Sequence, residues 1–293
     1  HHTGLVPVEP AEVADPRLAD LIGLNEPSRR RRVEGPGGVV VAEGRWVLEH
    51  ALAAGLGPRV VLVEERLVAA TTALLGADRT AATPVLVADR ALIERIAGFH
   101  FHRGVLATFD RPPPLDPDAL LDPAVASVAV LEGVNDHENL GALCRNARAL
   151  GLGALLLDPT SADHLYRRAI RVSMGHVLRL PVARATVDGP WAWPGPALAR
   201  LAGAGYTTLA LTPGPGAEPI AAVAAVPPAR PAFVLGAEGP GLSPGALAAA
   251  ARRVRIPLAP GADSLNVATA AALAFHRLLP DPDATAGRGE PPT

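Results

Sequence analysis

Lysine is missing altogether: the 27 basic residues of this 293-residue chain are all arginine. That excludes a P-loop lysine, a Schiff-base lysine and a pyridoxal enzyme together. Any phosphate contact must come from arginine, backbone N–H groups or helix N-termini. Cys144 is the single cysteine, so a disulfide framework and a cysteine-rich metal site are excluded, and the cytoplasm is the default compartment. No apolar run approaches the roughly 20 residues that a membrane span needs, and no secretory signal is legible at the start. A strong excess of one charge is lacking too. The net charge is -2, with 19% charged and 49% hydrophobic residues. This is the balance of a soluble globular protein with enough apolar side chains for two cores. His100-x-His102 is the nearest approach to a metal-ligand spacing, and it reads as surface strand, so no metal is expected.

What is present is a repeated α/β rhythm. His1–Gly4 reads as the remnant of a purification tag, and residues 1–32 as a polar extension ending in Arg29-Arg30-Arg31-Arg32. Strands are expected at Gly38–Ala42, Arg59–Val63, Pro84–Val87 and Gly104–Phe109, with helices at Arg45–Ala54, Leu67–Leu75 and Ala91–Ala97. This gives a smaller αβ domain over 33–110. Four prolines in the seven residues Arg111–Pro117 remove donors and fix φ, so 111–122 reads as an extended linker.

A second α/β domain is expected over 123–280. Its apolar strands are Val125–Leu131, Ala154–Leu157, Val182–Ala185, Thr207–Leu211, Ala232–Leu235 and Val254–Ile256. Its helices are Asn139–Leu150, Leu165–Arg171 and Ser264–Leu279. Near-continuous apolar strands alternating with helices indicate a parallel sheet covered on both faces. Asp281–Thr293, rich in proline and glycine, reads as a disordered tail.

Three segments of the second domain carry polar residues at strand ends, where parallel α/β sheets bind ligands. The first runs Leu131-Glu132-Gly133-Val134-Asn135-Asp136-His137-Glu138-Asn139-Leu140-Gly141 into a helix bearing Arg145 and Arg148. Asn139 reads on its own as an N-cap, and the two arginines, three apart, share one helical face. The second is Gly236-Ala237-Glu238-Gly239-Pro240-Gly241-Leu242-Ser243, a turn crowded by glycines that let a ligand approach backbone closely. Its spacing is not that of a dinucleotide fingerprint. The third runs from Ile256-Pro257-Leu258 to Ser264-Leu265-Asn266-Val267, with Ser264 as the expected N-cap of a small-residue helix.

Taken together and in order, these segments resemble the three motifs of the SpoU (TrmH-like) ribose methyltransferases: Asn-x-Gly-x-x-x-Arg, Gly-x-Glu-Gly-x-Gly-Leu-Ser, and Ile-Pro followed by Ser-Leu-Asn-Val. Arg171-Val172-Ser173-Met174-Gly175 also resembles the family's segment between the first two motifs. Less sharply, Ala42-Glu43-Gly44 and His102–Ala107 make the first domain similar to the family's small RNA-binding domain of ribosomal-protein-like fold.

The resemblance implies a parallel sheet with a C-terminal trefoil knot. It also implies a homodimer through that domain, and transfer of a methyl group from S-adenosylmethionine to a ribose 2′-hydroxyl. Ribosomal RNA is favoured over tRNA because of the extra N-terminal domain. By motif position, Arg145, Asn139, Glu238, Ser264 and Asn266 would be catalytic. Leu211, Thr212, Leu235, Gly236, Glu238, Gly239, Ile256, Leu258, Ser264, Leu265 and Asn266 would hold the cofactor. Arg29–Arg32 (Arg29, Arg30, Arg31, Arg32), Arg103 and Arg148 would contact RNA. A guanidinium is a poor base, so two roles stay open for Arg145. It grips a phosphate beside the ribose, the preferred role, or a perturbed site lets it assist proton removal. The competing reading is a non-catalytic RNA-binding module that keeps the knotted fold; Arg145, Glu238 and Asn266, all present, speak against it.

Overall fold

Short, mostly apolar runs supply most of the inner strands of two separate sheets. A computed structural model describes residues 5–7, 15–35 and 37–281. The expected tail 281–293, apart from Asp281, and the expected tag residues 1–4 lie outside these. The chain divides into two units: one runs to Pro113 and takes in Leu165–Arg179, and the other holds Pro114–His164 and the chain from Leu180.

The first unit is built on a mixed sheet of β1 (Leu5–Pro7), β2 (Val39–Glu43), β3 (Pro58–Glu64), β4 (Val85–Ala88) and β5 (Val105–Asp110), in the order β1-β4-β3-β5-β2. β5 runs antiparallel to both its neighbours, whereas β1, β4 and β3 are parallel. Its helices are α1 (Pro27–Glu34), α2 (Arg45–Ala53), α3 (Val68–Ala82) and α4 (Arg90–Ala97). α3 is interrupted at Gly76, whose φ of 76° breaks the helix where the expectation ended it at Leu75.

The described residues of the expected extension 1–32 join this unit rather than lying outside it. β1 pairs with β4 in this sheet. Leu18, Leu21 and Leu24 are fully buried in the same core as Val41, Leu62 and Phe101. Their spacing of three puts them on one side of a tight turn-rich segment. His100 and His102 lie in a loop ahead of β5 rather than in a strand.

The second sheet has all its strands parallel: β6 (Val128–Glu132), β7 (Ala154–Leu157), β8 (Val182–Arg184), β9 (Thr207–Leu211), β10 (Glu218–Pro219), β11 (Pro231–Gly236) and β12 (Arg252–Arg255). Their order is β10-β12-β9-β11-β6-β7-β8, with β11 and β6 at the centre. The central strands are buried along their length on both faces, as their unbroken apolar sequences require. Covering helices are α5 (His137–Ala149), α7 (Gly195–Gly203), α8 (Ile220–Ala225), α9 (Pro244–Ala249) and α10 (Val267–Leu278). The proline run does not behave as a free linker. Pro117–Leu121 forms a 3₁₀ turn, Leu120 is fully buried in the second core, and the Asp118 carboxylate accepts from Trp191 Nε1 at 2.7 Å and Arg200 at 2.6 Å. Proline prevents a helix or inner strand there, but it does not prevent packing by the leucine it flanks.

The helix expected at Leu165–Arg171 forms as α6 (Arg167–Val172) and belongs to the first unit, not the second. Arg167 lies 3.9 Å from Glu34 and 3.7 Å from Glu43, both buried carboxylates, with its guanidinium over the Phe99 ring at 4.0 Å. The Glu34 carboxylate also accepts from the Arg167 backbone N–H at 2.8 Å. Gly175 has φ 84°, and a Cβ there would come within 2.9 Å of His50 and 3.1 Å of Val47, so only glycine fits. Among the described residues no helix is long and apolar enough to cross a membrane.

Candidate active site

The first motif leaves β6 through Glu132 and turns at Gly133, where φ is 68°. Asp158, at the end of β7, holds this turn by accepting from Gly133 N–H at 3.0 Å, and it also accepts from Ser161 N–H and Oγ and from Thr160 Oγ1. Burial pushes the Asp158 carboxyl up, but those side-chain and backbone hydrogen bonds outweigh it and hold the group below the usual carboxylate range. The N-cap of α5 is Asp136, which accepts from Glu138 N–H at 2.7 Å. Asn139 is therefore not the cap; it lies in the first turn, with its side chain released for other work. Cys144 is buried in this helix, and burial pushes its thiol up to about 12, which leaves it without nucleophilic character.

In the second motif the chain folds back over the end of β11. A Cβ at Gly236 would come to 2.3 Å from Gly241 C and 2.5 Å from Leu242 N, so only glycine permits the closure. Gly239 and Gly241 have φ of 89° and 66°. Glu132 pins the far side of this loop: its carboxylate accepts from Ser243 N–H at 2.7 Å, Ser243 Oγ at 3.1 Å and Trp193 Nε1 at 2.9 Å. Sequence reasoning missed Glu132, although an acid ending a buried strand was the signal available.

In the third motif the cap of α10 is Asn266, not Ser264. Asn266 Oδ1 accepts from the N–H groups of Ala268 at 2.9 Å and Thr269 at 3.2 Å. Its Nδ2 donates to Asn139 Oδ1 at 2.7 Å and to Glu238 Oε1 at 2.5 Å. One side chain thus joins all three motifs and starts the last helix. Asn139 and Asn146, seven apart, share the face of α5 turned to α10, and Asn146 Nδ2 donates to Ala268 O at 3.0 Å. Arg145 and Arg148 project from another side of α5. Arg145 is exposed and Arg148 half-buried, and among the described residues neither has an ion pair or hydrogen bond. Ser264 is exposed.

The ends of β9, β11 and β12 and the third motif form a cleft of about 160 Å³, open to solvent at its mouth. All the residues expected to hold the cofactor line it except Asn266, which stands behind Glu238. Pro213, Ala237, Gly241, Val254, Val267 and Ala270 line it as well and were not anticipated. Leu211, Leu235, Ile256, Leu258 and Leu265 form apolar walls, and Glu238 and Ser264 supply polar groups. Such a cleft suits a small molecule with a flat apolar part and a polar tail. Of the arginines expected to touch RNA, Arg31, Arg32 and Arg103 are exposed, whereas Arg29 turns inward to donate to Ala19 O at 3.1 Å.

Comparison with known proteins gives the following. Residues 126–276 match the model of the SpoU rRNA Methylase family. A protein of Mycobacterium tuberculosis named as a tRNA/rRNA methyltransferase is 43% identical over 221 residues, covering 73% of this chain and 70% of that protein. The structure of an AdoMet-bound rRNA methyltransferase from Sinorhizobium meliloti superposes with a TM-score of 0.73 at 22% identity, covering 94% of this chain and 97% of the other. An RNA 2′-O ribose methyltransferase structure superposes with a TM-score of 0.67 at 26% identity, covering 94% and 98%.

Proposed function

The chain belongs to the SpoU rRNA methylase family, an RNA methyltransferase family, and from that premise we propose that it methylates a ribose 2′-hydroxyl of structured RNA, with ribosomal RNA favoured over tRNA. The observation that carries this reading is the meeting of Asn139, Glu238 and Asn266 beside the cleft, with Arg145 on the neighbouring helix exposed and, among the described residues, unpaired.

The cofactor is S-adenosylmethionine, and the residues present fit it. Five aliphatic walls suit an adenine ring, and at Gly239 a Cβ would meet only open space, so a ligand can come close to the backbone. When bound, the cofactor supplies an electrophilic methyl group on a sulfonium centre. Leu235, Ile256, Leu258 and Leu265 exclude water from it. Asn266 holds Glu238 and Asn139 in fixed positions beside the cleft. Arg145, a permanent cation with a planar fork of donors, grips a phosphate and orients the ribose against the cleft. The hydroxyl proton must leave as the new bond forms, and it passes to water at the open mouth of the cleft; Arg145 assists that loss by positioning rather than as a base. Ser264, at the mouth, hydrogen-bonds the target nucleotide.

The trefoil knot is supported by the packing of α10 on both α5 and β11 and by the closure of the Gly236–Gly241 turn on itself. The same reading makes the second unit the homodimer-forming part and the first unit the RNA reader, and an RNA substrate implies the cytoplasm. The non-catalytic alternative finds no favouring observation. The test is incubation with methyl-labelled S-adenosylmethionine and separate pools of ribosomal RNA and tRNA, followed by nucleoside analysis. Label in 2′-O-methylated nucleosides from ribosomal RNA is expected. Label only in methylated bases, or none in either RNA with the cofactor bound, would refute the reading.

A further inference from the structure

α2 buries Val47, Leu48, Ala51 and Leu52 in the first unit, yet Trp46, on the first turn of the same helix, stays 60% exposed. An indole exposed to that extent forgoes most of the burial free energy that makes tryptophan valuable to a core. The fold does not need it there. Two arginines flank it. Arg45 precedes it, and Arg103 lies across Gly44, where a Cβ would come to 2.9 Å from Arg103 Cδ and 3.1 Å from its Cβ. Gly44 has φ 96° and donates its N–H to Val105 O at 2.7 Å, which fixes the start of α2 against the start of β5.

Both arginines are exposed, and among the described residues neither has a hydrogen bond or ion pair. The nearby acids do not neutralise them. Glu43 is buried beside Arg167, Glu64 accepts from Arg66 at 2.6 Å, and Glu49, one turn along α2, is paired with neither. The first turn of α2 carries no acidic residue and no side-chain cap, so its dipole adds to the positive potential.

We infer that Arg45, Trp46 and Arg103 form a docking surface for an unpaired segment of RNA, with the Trp46 ring stacked on one base and the two guanidinium groups on the phosphates beside it. The inference rests on the RNA-methyltransferase reading and adds the part of the substrate that the first unit takes. An unpaired strand fits because its bases have free faces, whereas the bases of an A-form helix are already stacked. Two exposed cations beside the ring favour phosphate over an apolar peptide.

The experiment uses the full chain and a short mixed-sequence single-stranded RNA, alone or annealed to its complement. Of the three tryptophans, Trp191 is buried and Trp193 donates to Glu132, so water-exposed emission comes from Trp46. The single strand is expected to quench this emission and the duplex is not. Trp46→Ala should weaken single-strand binding by about 10-fold or more, while Trp46→Phe, which keeps a ring, should retain most of the affinity and lose the quench. Arg45→Ala with Arg103→Ala should reduce the slope of log affinity against log salt by about 1.4, the value for two phosphates of a single strand. Every variant should keep its melting temperature and its affinity for S-adenosylmethionine. If Trp46→Ala binds the single strand as tightly as the parent while methyl transfer persists, the surface is wrong and the function stands. Preferential binding of the duplex also overturns the surface. If the parent neither binds RNA nor transfers methyl groups, both readings fall.

Discussion

Two arginines, Arg145 on α5 and Arg167 on α6, make opposite use of the same side chain. Arg167 is mostly buried, faces Glu34 and Glu43, and has Phe99 beneath it. Desolvation pulls its guanidinium below the usual arginine range, and the two carboxylates oppose that shift. Arg145 stands exposed with no partner among the described residues, while Asn139, Glu238 and Asn266 beside the cleft are bonded to one another. A cation whose charge is met inside the protein is committed to the fold; one left open beside a set of fixed polar groups is available to a ligand. The two should therefore respond to the same substitution in different measurements.

The largest effect is expected at Arg167. Arg167→Ala removes the cation that both buried carboxylates face, and breaking such a cluster costs on the order of 3–5 kcal/mol. Denaturant unfolding should show that loss, with little change in the methylation rate per folded molecule. A stability within 1 kcal/mol of the parent, by the same order-of-magnitude standard, would make the cluster incidental.

Arg145→Ala should do the reverse. Loss of one positioned, charge-assisted contact costs about 2–4 kcal/mol of transition-state stabilisation, or about 30- to 1,000-fold in rate. Affinity for S-adenosylmethionine and melting temperature should hold. Arg145→Lys should rescue little, since an ammonium lacks the planar fork, and Arg148→Ala should lower RNA affinity mildly, by an amount that shrinks with salt. Near-normal single-turnover rates for Arg145→Ala would shift the role to Arg148.

The smallest effect sharpens the contrast with pH. Asp158 has a folded pKa below its ordinary value of 3.8, so its contribution is complete above the unfolded pKa and is lost as pH falls through the folded one. Asp158→Asn should cost about 1–2 kcal/mol at neutral pH. The gap between variant and parent should close in acid, below about pH 4. A gap that stays constant down to pH 2 would show that the carboxylate charge does not matter there.

Legibility followed local redundancy. Ala154–Leu157 and Thr207–Leu211 match their expected strands residue for residue, because a short apolar run between turn residues has few alternatives in a parallel sheet. α7 was missed because Trp191–Pro196 reads as a proline loop, although a helix tolerates proline in its first turn. α8 and α9 are six residues each and rich in alanine, too short to show a period. The caps went wrong for one reason at both sites. Several good capping residues, Asp136 and Asn139 or Ser264 and Asn266, stand within three positions, and propensity does not choose among them.

By itself the sequence determined six of the second unit's seven strands (missing the two-residue β10 and placing β12 two residues late), the three polar segments at strand ends, and the exclusion of lysine chemistry, since each depends only on residue type and near neighbours. Only the tertiary structure decided that Leu18, Leu120 and α6 belong to cores from which their sequence position seemed to remove them. It alone decided that Asn266 would bond both Asn139 and Glu238, partners 127 and 28 positions away. Hydrogen bonds across such separations are chosen by which strands lie side by side, and strand order is a property of the packed sheet that no local pattern encodes.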